Sequence, residues 1–310
     1  MQSNNLLIVG AMRSGTTYLG KVLEEANDFT YFHEPFKNKH GIEGINHWFP
    51  FYLSNNYAQK VDEFFDGNAK FRVKKHNGNR PWEYYIKKII GNRDQIKYRN
   101  FFKDKNKTKK LLLKDPLASF LSNYIFNKGY AKVIVMVRHP MSFYYSKQQK
   151  GWDFDFKNFL EQNELIEFYL KDEMTEMQKA ANLSYEQRIG LLWRCIYKVL
   201  TAFSNEHTNK KEWIVVKHED ILQSPMDFFQ TLCEQLQIQF TAQMKTFVLE
   251  TSSNNNKVLA SENKVHDFVR DTRVLKDYWK QNISEGQMKV IQGITADIAD
   301  LYYEKDTWQL

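Results

Sequence analysis

The sequence contains 310 residues, 42% of them hydrophobic, which is enough to bury a sizeable core in one domain. Its formal net charge of +7 indicates an anionic partner but does not distinguish a nucleic acid, a membrane surface and a phosphorylated cofactor. No run reaches the roughly 18 apolar residues that a membrane span requires, and the first residues lack the pattern of a secretory signal. We therefore expect a cytoplasmic protein without a membrane span.

Short apolar runs that alternate with helical spacing predict the fold class. The first run, Leu6 to Val9, ends at Gly10, and helical spacing begins after Gly15. The same order of strand and helix recurs at residues 111–113 and 117–126, at 133–137 and 141–147, and at 213–216 and 225–236. This alternation is typical of a parallel sheet covered by helices. The sequence predicts a P-loop-like three-layer α/β/α sandwich with a parallel central sheet and helical insertions.

Two segments interrupt the alternation. Residues 37–110 are polar and rich in aromatic residues, and we interpret them as an insertion. Residues 156–204 have mostly helical spacing and are predicted to form a helical cap on the sheet. We treat residues 1–310 as a single domain that carries both segments.

The remaining charged and sulfur-containing residues predict no further site. Cys195 and Cys233 lack metal-ligand spacing and are expected to be reduced thiols in the core. The basic run at residues 103–110 is typical of a solvated loop, so no nucleic-acid partner is predicted. No cluster of His, Cys or carboxylates has ligand spacing, and we expect no metal requirement.

The segment between the first strand and the first helix, residues 10–17, reads GAMRSGTT. Gly10 and Gly15 have the spacing of the phosphate loop of nucleoside triphosphatases, where backbone N–H groups and a helix N-terminus hold an anion. Thr16 stands where that loop has its lysine, and Arg13 restores a cation inside the loop. A turn between strand and helix also needs glycine for backbone reasons alone, so the register of strand, loop and helix decides in favour of anion binding.

This loop resembles the 5′-phosphosulfate loop of the sulfotransferases that use 3′-phosphoadenosine 5′-phosphosulfate (PAPS), which commonly reads R/K-S-G-T-T. The resemblance is closest to the carbohydrate and tyrosylprotein sulfotransferases, and the Asn- and Lys-rich composition is typical of bacteria. It implies transfer of a sulfuryl group from PAPS to a hydroxyl acceptor, with the aromatic residue after the threonines, here Tyr18, stacking on adenine. The loop residues that would hold the donor are Arg13, Ser14, Gly15, Thr16 and Thr17.

Three further positions match the family. Arg138, at a predicted strand end, and Ser146, eight residues later, are similar to the residues that bind the 3′-phosphate, and strand ends of this kind converge on one edge of the sheet. Lys114, in a Lys-Asp-Pro segment, resembles the lysine that lies against the bridging oxygen of the phosphosulfate. The C-terminal match is weaker, and Arg273 is the residue we expect to close over the 3′-phosphate.

Sulfuryl transfer also needs a base for the hydroxyl proton. The cytosolic sulfotransferases take a histidine two residues after the lysine, but here that position is Pro116. Glu34 follows a short extended run, as the glutamate base of tyrosylprotein and several carbohydrate sulfotransferases does, and it is the predicted base. Desolvation would raise its pKa, whereas Arg13 and Lys114 would oppose the rise. The alternatives are a glutamate that caps the turn before Pro35, or a base at His33 or His76.

The acceptor is less well defined than the donor. The insertion at residues 37–110 is expected on the acceptor side, where its rings could stack on sugar faces or fill the core. A saccharide or glycolipid precursor is the favoured acceptor, with a peptide tyrosine or small alcohol as alternatives. A P-loop kinase predicts a lysine at position 16, which is absent, and a nucleotide- or RNA-binding module predicts a basic surface stripe with aromatic platforms.

Overall fold

A parallel five-stranded sheet forms the centre of the molecule. A computed structural model describes residues 3–73, 92–104, 109–252 and 278–309. Its strands are β1 (Leu6–Gly10), β2 (Phe29–His33), β3 (Lys110–Lys114), β4 (Lys132–Val137) and β5 (Trp213–Lys217). Their order across the sheet is β2-β3-β1-β4-β5, and each neighbouring pair is parallel. The predicted parallel sheet is confirmed.

Helices connect the strands and follow the last strand. In the first half of the chain they are α1 (Thr16–Glu24), α2 (Tyr57–Phe65), α3 (Arg93–Lys103), α4 (Ser122–Asn127) and α5 (Pro140–Gln148). The second half contains α6 (Lys157–Leu160), α7 (Asn163–Leu165), α8 (Met174–Gln178), α9 (Tyr185–Glu206), α10 (His218–Gln223), α11 (Pro225–Leu236), α12 (Ala242–Ser252) and α13 (Glu285–Ala299). A π-helical turn occupies Ile166–Leu170, and 3₁₀ turns occupy Pro116–Leu121, Ala180–Asn182, Tyr278–Gln281 and Lys305–Trp308.

The sheet is buried on both faces, which explains its continuous apolar runs. Leu7 and Val9 of β1 belong to one hydrophobic core, while Leu6 and Ile8 belong to the other. Residues of α9 and α13 cover the first core, and residues of α1, α11 and α12 cover the second. The predicted three-layer α/β/α sandwich is therefore confirmed.

Helix α9 is the largest element of the first layer. Ser184 begins it with a capping box, in which its hydroxyl accepts from the Gln187 N–H and the Gln187 side chain accepts from the Ser184 N–H. Trp193 and Tyr197 on its inner face are fully buried. Through the hydroxyl of Tyr197, this face also hydrogen-bonds to Ala11 and Ser14 of the loop that follows β1.

Aromatic residues of the segment 37–110 contribute to the first core. Phe49 and Phe51 are 0% exposed, and Trp48 and Tyr52 pack partly buried against the same core. Core packing therefore accounts for Phe49 and Phe51, which cannot stack on a sugar. The other three aromatic residues considered for stacking, Trp82, Tyr84 and Tyr85, lie outside the described residues. Across the described part of the chain, no helix is long and apolar enough to span a membrane.

Candidate active site

The phosphate loop lies between β1 and α1 and depends on its two glycines. Gly10 has φ +135°, and a Cβ there would lie 2.2 Å from the backbone oxygen of Met136 on β4. Gly15 has φ +89° and precedes α1, and a Cβ there would lie 2.4 Å from an imidazole carbon of His218. Because neither backbone position tolerates a side chain, the glycine spacing reflects the geometry of this turn.

Replacing Gly10 with alanine should destabilise the protein by several kcal/mol, on the order of the largest single-residue effects, because the clash is with backbone and the φ value is strained. Urea unfolding followed by circular dichroism measures this effect. Gly293→Ala is the matched control, since nothing lies within 4 Å of its Cβ position on α13, and it should stabilise by about 0.5–1 kcal/mol. Equal stability of the two variants would contradict the steric argument.

The side chain of Ser14 points into the protein. Its oxygen lies 3.0 Å from the hydroxyl of Tyr197, which donates to the Met136 backbone oxygen at 2.9 Å and accepts from the Ala11 N–H. Tyr197 has one proton to donate, so the Ser14 hydroxyl is the donor of their shared bond. The sequence predicted that Ser14 would help to hold the donor, whereas the structure directs its hydroxyl to Tyr197. Ser14 is fully buried and anchors the loop to α9.

The threonines that follow begin the first turn of α1. Thr16 is 3% exposed, Thr17 is half-buried, and Gly15 precedes them in the left-handed conformation. The first N–H groups of a helix lack intrahelical partners and carry the positive end of its dipole. This turn is therefore suited to hold an anion, as predicted for the loop.

Arg13, Arg138 and Ser146 come together at the carboxyl ends of β1 and β4. Nε of Arg13 donates to Ser146 Oγ at 3.2 Å, and an Nη of Arg138 donates to the Arg13 backbone oxygen at 2.5 Å. The Arg138 backbone oxygen accepts from the indole N–H of Trp193 at 2.9 Å. Two guanidinium groups and a hydroxyl thus converge where open parallel sheets bind ligands.

Tyr18 lies on α1 and packs against the second hydrophobic core. Its ring stacks with Phe247 at a centroid distance of 6.3 Å, and its hydroxyl lies 3.0 Å from Thr251 Oγ1. Burial raises the pKa of this phenol. One face of the ring is therefore already covered by Phe247. Arg273, the residue expected to close over the donor, lies outside the described residues.

Glu34, which is partly buried, and Lys114, which is buried, form an ion pair at the ends of β2 and β3. Lys114 Nζ donates to Glu34 Oε1 at 2.7 Å, and Lys37 Nζ donates to Oε2 at 3.0 Å. The two positions are also joined by a backbone bond from the Glu34 N–H to the Lys114 oxygen at 2.8 Å. Strand β3 separates β2 from β1, the strand that leads into the phosphate loop, so Glu34 lies at the end of a strand that is not adjacent to β1. The ion pair with Lys114 links Glu34 to the end of β3, the strand that adjoins β1.

The electrostatics of Glu34 differ from the expectation. Burial alone would raise its pKa, but the charges of Lys114 and Lys37 and the hydrogen bond from Lys114 lower the pKa to about 2. His33 Nε2, 3.6 Å from Oε1, adds a smaller effect in the same direction. The cations with the largest effect on this pKa are therefore Lys114 and Lys37. In this state Glu34 is ionised throughout the neutral range.

Asp115 supports this pair and was not singled out from the sequence. Its carboxylate is fully buried and accepts from the backbone N–H groups of Phe36 at 2.7 Å and Leu117 at 3.0 Å. Burial and then the charge of Glu34 raise the pKa of Asp115 to about 7. Asp115 thus fixes the chain that follows Glu34 to the end of β3. The signal in the sequence was its position before Pro116, where an aspartate commonly caps a helical turn.

Three other residues beside the loop were also missed. His218 packs its ring over Gly15, and the Arg13 guanidinium lies 5.7 Å from the centre of the Trp152 ring. Lys147, which directly follows Ser146, is buried with its Nζ 5.5 Å from the same ring. Sequence spacing could not reveal these contacts, because each depends on how separate elements meet.

Glu219 occupies the first turn of α10, where acidic residues are favoured. It is also a buried connector, since it accepts from the His139 N–H at 3.1 Å and from the Tyr303 hydroxyl at 2.8 Å. The residue after Arg138 is thereby held to the C-terminal part of the fold. This bond fixes the end of β4, from which the Arg138 side chain projects.

A parallel sheet whose first strand ends in a phosphate loop, with cationic side chains at the ends of neighbouring strands, is typical of proteins that bind phosphorylated ligands. A sequence profile of the sulfotransferase family matches residues 5–242. The chain belongs to this family, and it is an enzyme that transfers sulfuryl groups. A search of curated proteins gives no match.

Solved structures agree with the fold. The sulfotransferase domain of the olefin synthase from Synechococcus PCC 7002 is 14% identical, with a TM-score of 0.50, over 97% of this chain and 94% of that one. The sulfotransferase domain of the curacin biosynthetic pathway is also 14% identical, with a TM-score of 0.52, over 97% and 98%. Identities this low establish the shared fold alone.

Proposed function

We propose that this enzyme transfers a sulfuryl group from PAPS to a hydroxyl of a saccharide or glycolipid precursor, with Glu34 as the general base. The observation that carries the proposal is the ion pair of Glu34 and Lys114, 2.7 Å apart at the ends of β2 and β3, of which β3 adjoins the strand that leads into the phosphate loop. A base and a cation for the leaving oxygen are the two groups that this reaction requires beyond donor binding.

The donor residues follow the arrangement of the site. The loop and the first turn of α1 hold the 5′-phosphosulfate, and Arg138 with Ser146 holds the 3′-phosphate. Tyr18 contributes to the adenine site, and Arg273 closes over the nucleotide. Ser14 acts through the loop that it anchors. The residues proposed to touch the 5′-phosphosulfate are Arg13, Gly15, Thr16 and Thr17.

In the reaction, the acceptor oxygen forms a bond to sulfur while the bond from sulfur to the bridging phosphate oxygen breaks. Glu34 takes the hydroxyl proton, and Lys114 neutralises the charge that develops on the leaving oxygen. The products are the sulfate ester and 3′-phosphoadenosine 5′-phosphate (PAP). In this scheme the enzyme accelerates the reaction by positioning the reactants and by stabilising the developing charge. Arg13 helps to bind the donor and also stabilises the negative charge of the leaving phosphate.

The low pKa of Glu34 fits this scheme once the donor binds. A carboxylate with a pKa of about 2 is a weak base, and its main partner is Lys114. When the phosphosulfate draws Lys114 Nζ to its bridging oxygen, Glu34 loses that partner and its pKa rises toward the range of an effective base. Base strength is therefore coupled to the presence of the donor.

A small cavity supports a polyhydroxylated acceptor. It has a volume of about 220 Å³ and is lined by Glu34 together with the polar side chains of His33, His40 and Asp94. Carboxylate and imidazole groups are suited to hydrogen-bond sugar hydroxyls. Phe71 on the cavity wall offers an apolar surface for a ring face. We also propose a cytoplasmic location, supported by the two unbridged cysteines in the core.

Titration calorimetry with PAP tests the donor assignment. We expect PAP to bind far more tightly than adenosine 5′-phosphate and without magnesium, and Arg138→Gln should remove most of that preference, by about 10- to 100-fold. Preference for ATP with magnesium would contradict the assignment and favour a kinase. Transfer of ³⁵S from labelled PAPS to panels of saccharides, glycolipids, peptides and simple alcohols then identifies the acceptor. Labelling of tyrosyl peptides alone would contradict the saccharide.

A further inference from the structure

Lys147 is a buried lysine beside the proposed donor site. Its side chain is 1% exposed, and its Nζ lies 5.5 Å from the ring centres of both Phe143 and Trp152. The backbone N–H of Trp152 donates to the Lys147 backbone oxygen at 3.2 Å, which joins the two residues at the end of α5. The Trp152 ring itself is 41% exposed. The ammonium group therefore packs against a ring that reaches the surface.

No carboxylate neutralises this ammonium group within the described residues. Asp153 is the nearest acid in the sequence, but it forms its ion pair with Arg188 at 2.8 Å. Burial and the neighbouring Arg13 lower the pKa of Lys147 to about 8, and Asp153 opposes this shift only in part. Aromatic rings attract a cation, but less strongly than burial away from water disfavours it. The group is thus placed where an anion would stabilise it.

A second cation shares the same indole. The guanidinium of Arg13 lies 5.7 Å from the Trp152 ring centre and donates to Ser146 Oγ, one residue before Lys147. Two like charges on one ring repel each other unless a ligand of opposite charge lies between them. A phosphate dianion provides both the charge and the acceptor oxygens that these groups need.

We propose that Lys147 is an additional ligand of the donor's 3′-phosphate, acting with Ser146 and Arg138. This inference rests on the proposed function, because it assumes that PAPS is the donor. It predicts that Lys147 takes up a proton when PAP binds at pH values above the pKa that Lys147 has in the enzyme without PAP.

Titration calorimetry on Lys147→Met at pH 7 tests the contact. The variant should bind PAP about 10- to 100-fold more weakly, whereas binding of adenosine 5′-phosphosulfate, which lacks the 3′-phosphate, should change by less than about 2-fold. Lys150→Met removes the same charge from a partly exposed neighbour and should leave both affinities unchanged. Methionine replaces the lysine stem in an apolar environment, so the variant is expected to fold.

Proton uptake gives a second measurement on the wild-type enzyme. At pH 8.5, titrations in buffers of different ionisation enthalpy should show uptake of a fraction of a proton per PAP bound, since the phosphate is already a dianion there. The charged groups facing Lys147 are Arg13 and Asp153, the latter paired with Arg188. Lys147→Arg should keep the affinity for PAP but abolish the uptake, because a guanidinium stays protonated.

The outcomes separate this inference from the function on which it rests. If the wild-type enzyme does not bind PAP, the proposed donor is wrong. If the wild-type enzyme binds PAP and Lys147→Met binds it equally well, Lys147 is a core residue and the inference is overturned. Equal weakening of PAP and adenosine 5′-phosphosulfate would also overturn it, because the lysine would then serve the 5′ side.

Discussion

Replacing Glu34 with glutamine should lower the rate of sulfuryl transfer by about 10²–10⁴-fold, the range for loss of a general base. Glutamine keeps the shape of the side chain but cannot take the hydroxyl proton. Binding of PAP should persist or become tighter in the variant. In the wild type the Glu34 carboxylate contacts Lys114 Nζ at 2.7 Å and competes with the donor for it, and the variant lacks this competition. Single-turnover transfer from labelled PAPS to the identified acceptor measures the rate, and calorimetry measures the affinity.

The same variant has a stability effect that needs no acceptor. Lys114 is 2% exposed, so loss of its carboxylate partner leaves a buried charge and should destabilise the free protein by about 3–5 kcal/mol. PAP should restore part of this stability, and the rise in melting temperature on adding PAP should be larger than for the wild type. Glu63→Gln is the matched control, because Glu63 pairs with Lys60 at 2.7 Å on the surface. A glutamate that only caps the turn before Pro35 would leave turnover within a few-fold of wild type.

The fold was predictable because its strands are buried on both faces. Continuous apolar runs such as Leu6 to Val9 have no polar alternation, so they indicate a parallel sheet between helical layers. The order of the strands was not predictable in the same way. Any parallel strand can pair with any other through its backbone, and the position of β2 at the edge is fixed by packing between elements distant in sequence.

The same distinction between local and tertiary determinants applies to the functional site. Glycines at 10 and 15 carry their own backbone requirement, so the loop could be located from spacing. The direction of a side chain at a given position depends on its tertiary neighbours, and for this reason the bond of Ser14 to Tyr197 could not be predicted. The burial of Lys147 could not be predicted for the same reason, since a lysine in the last turn of a helix normally has a solvated side chain.

The net pKa of Glu34 shows a further limit of sequence reasoning. Burial and the nearby cations act in opposite directions, and only the distances decide which is larger. Lys37 could be recognised as a neighbour three residues away, but its bond at 3.0 Å to the second carboxylate oxygen occurs at a turn where Glu34 has a left-handed backbone, with φ 52°. A local backbone conformation of this kind is not evident from residue types.

Replacing Lys114 with methionine should reduce turnover by about 10²–10³-fold, as expected when a group that stabilises the leaving oxygen is lost. It should also change the response to acid. The pKa of Glu34 is lower in the folded protein than its ordinary value of 4.5, so its carboxylate stabilises the fold above about pH 4.5 and loses this effect as the pH falls toward 2. In Lys114→Met, burial and the nearby Asp115 remain while the main cation is gone, so the pKa of Glu34 should rise.

The expected result is a wild-type unfolding free energy that decreases steeply from pH 4.5 to pH 2, and a Lys114→Met variant that is less stable at neutral pH and shows a much smaller decrease. Urea unfolding at a series of pH values measures both. Lys110→Met, at the opposite end of β3, should keep the wild-type pH dependence and turnover. If Lys114→Met behaved like Lys110→Met in both assays, Lys114 would not govern Glu34. Loss of turnover with an unchanged acid response would separate the two roles, because Lys114 would then act on the leaving oxygen without setting the charge state of the base.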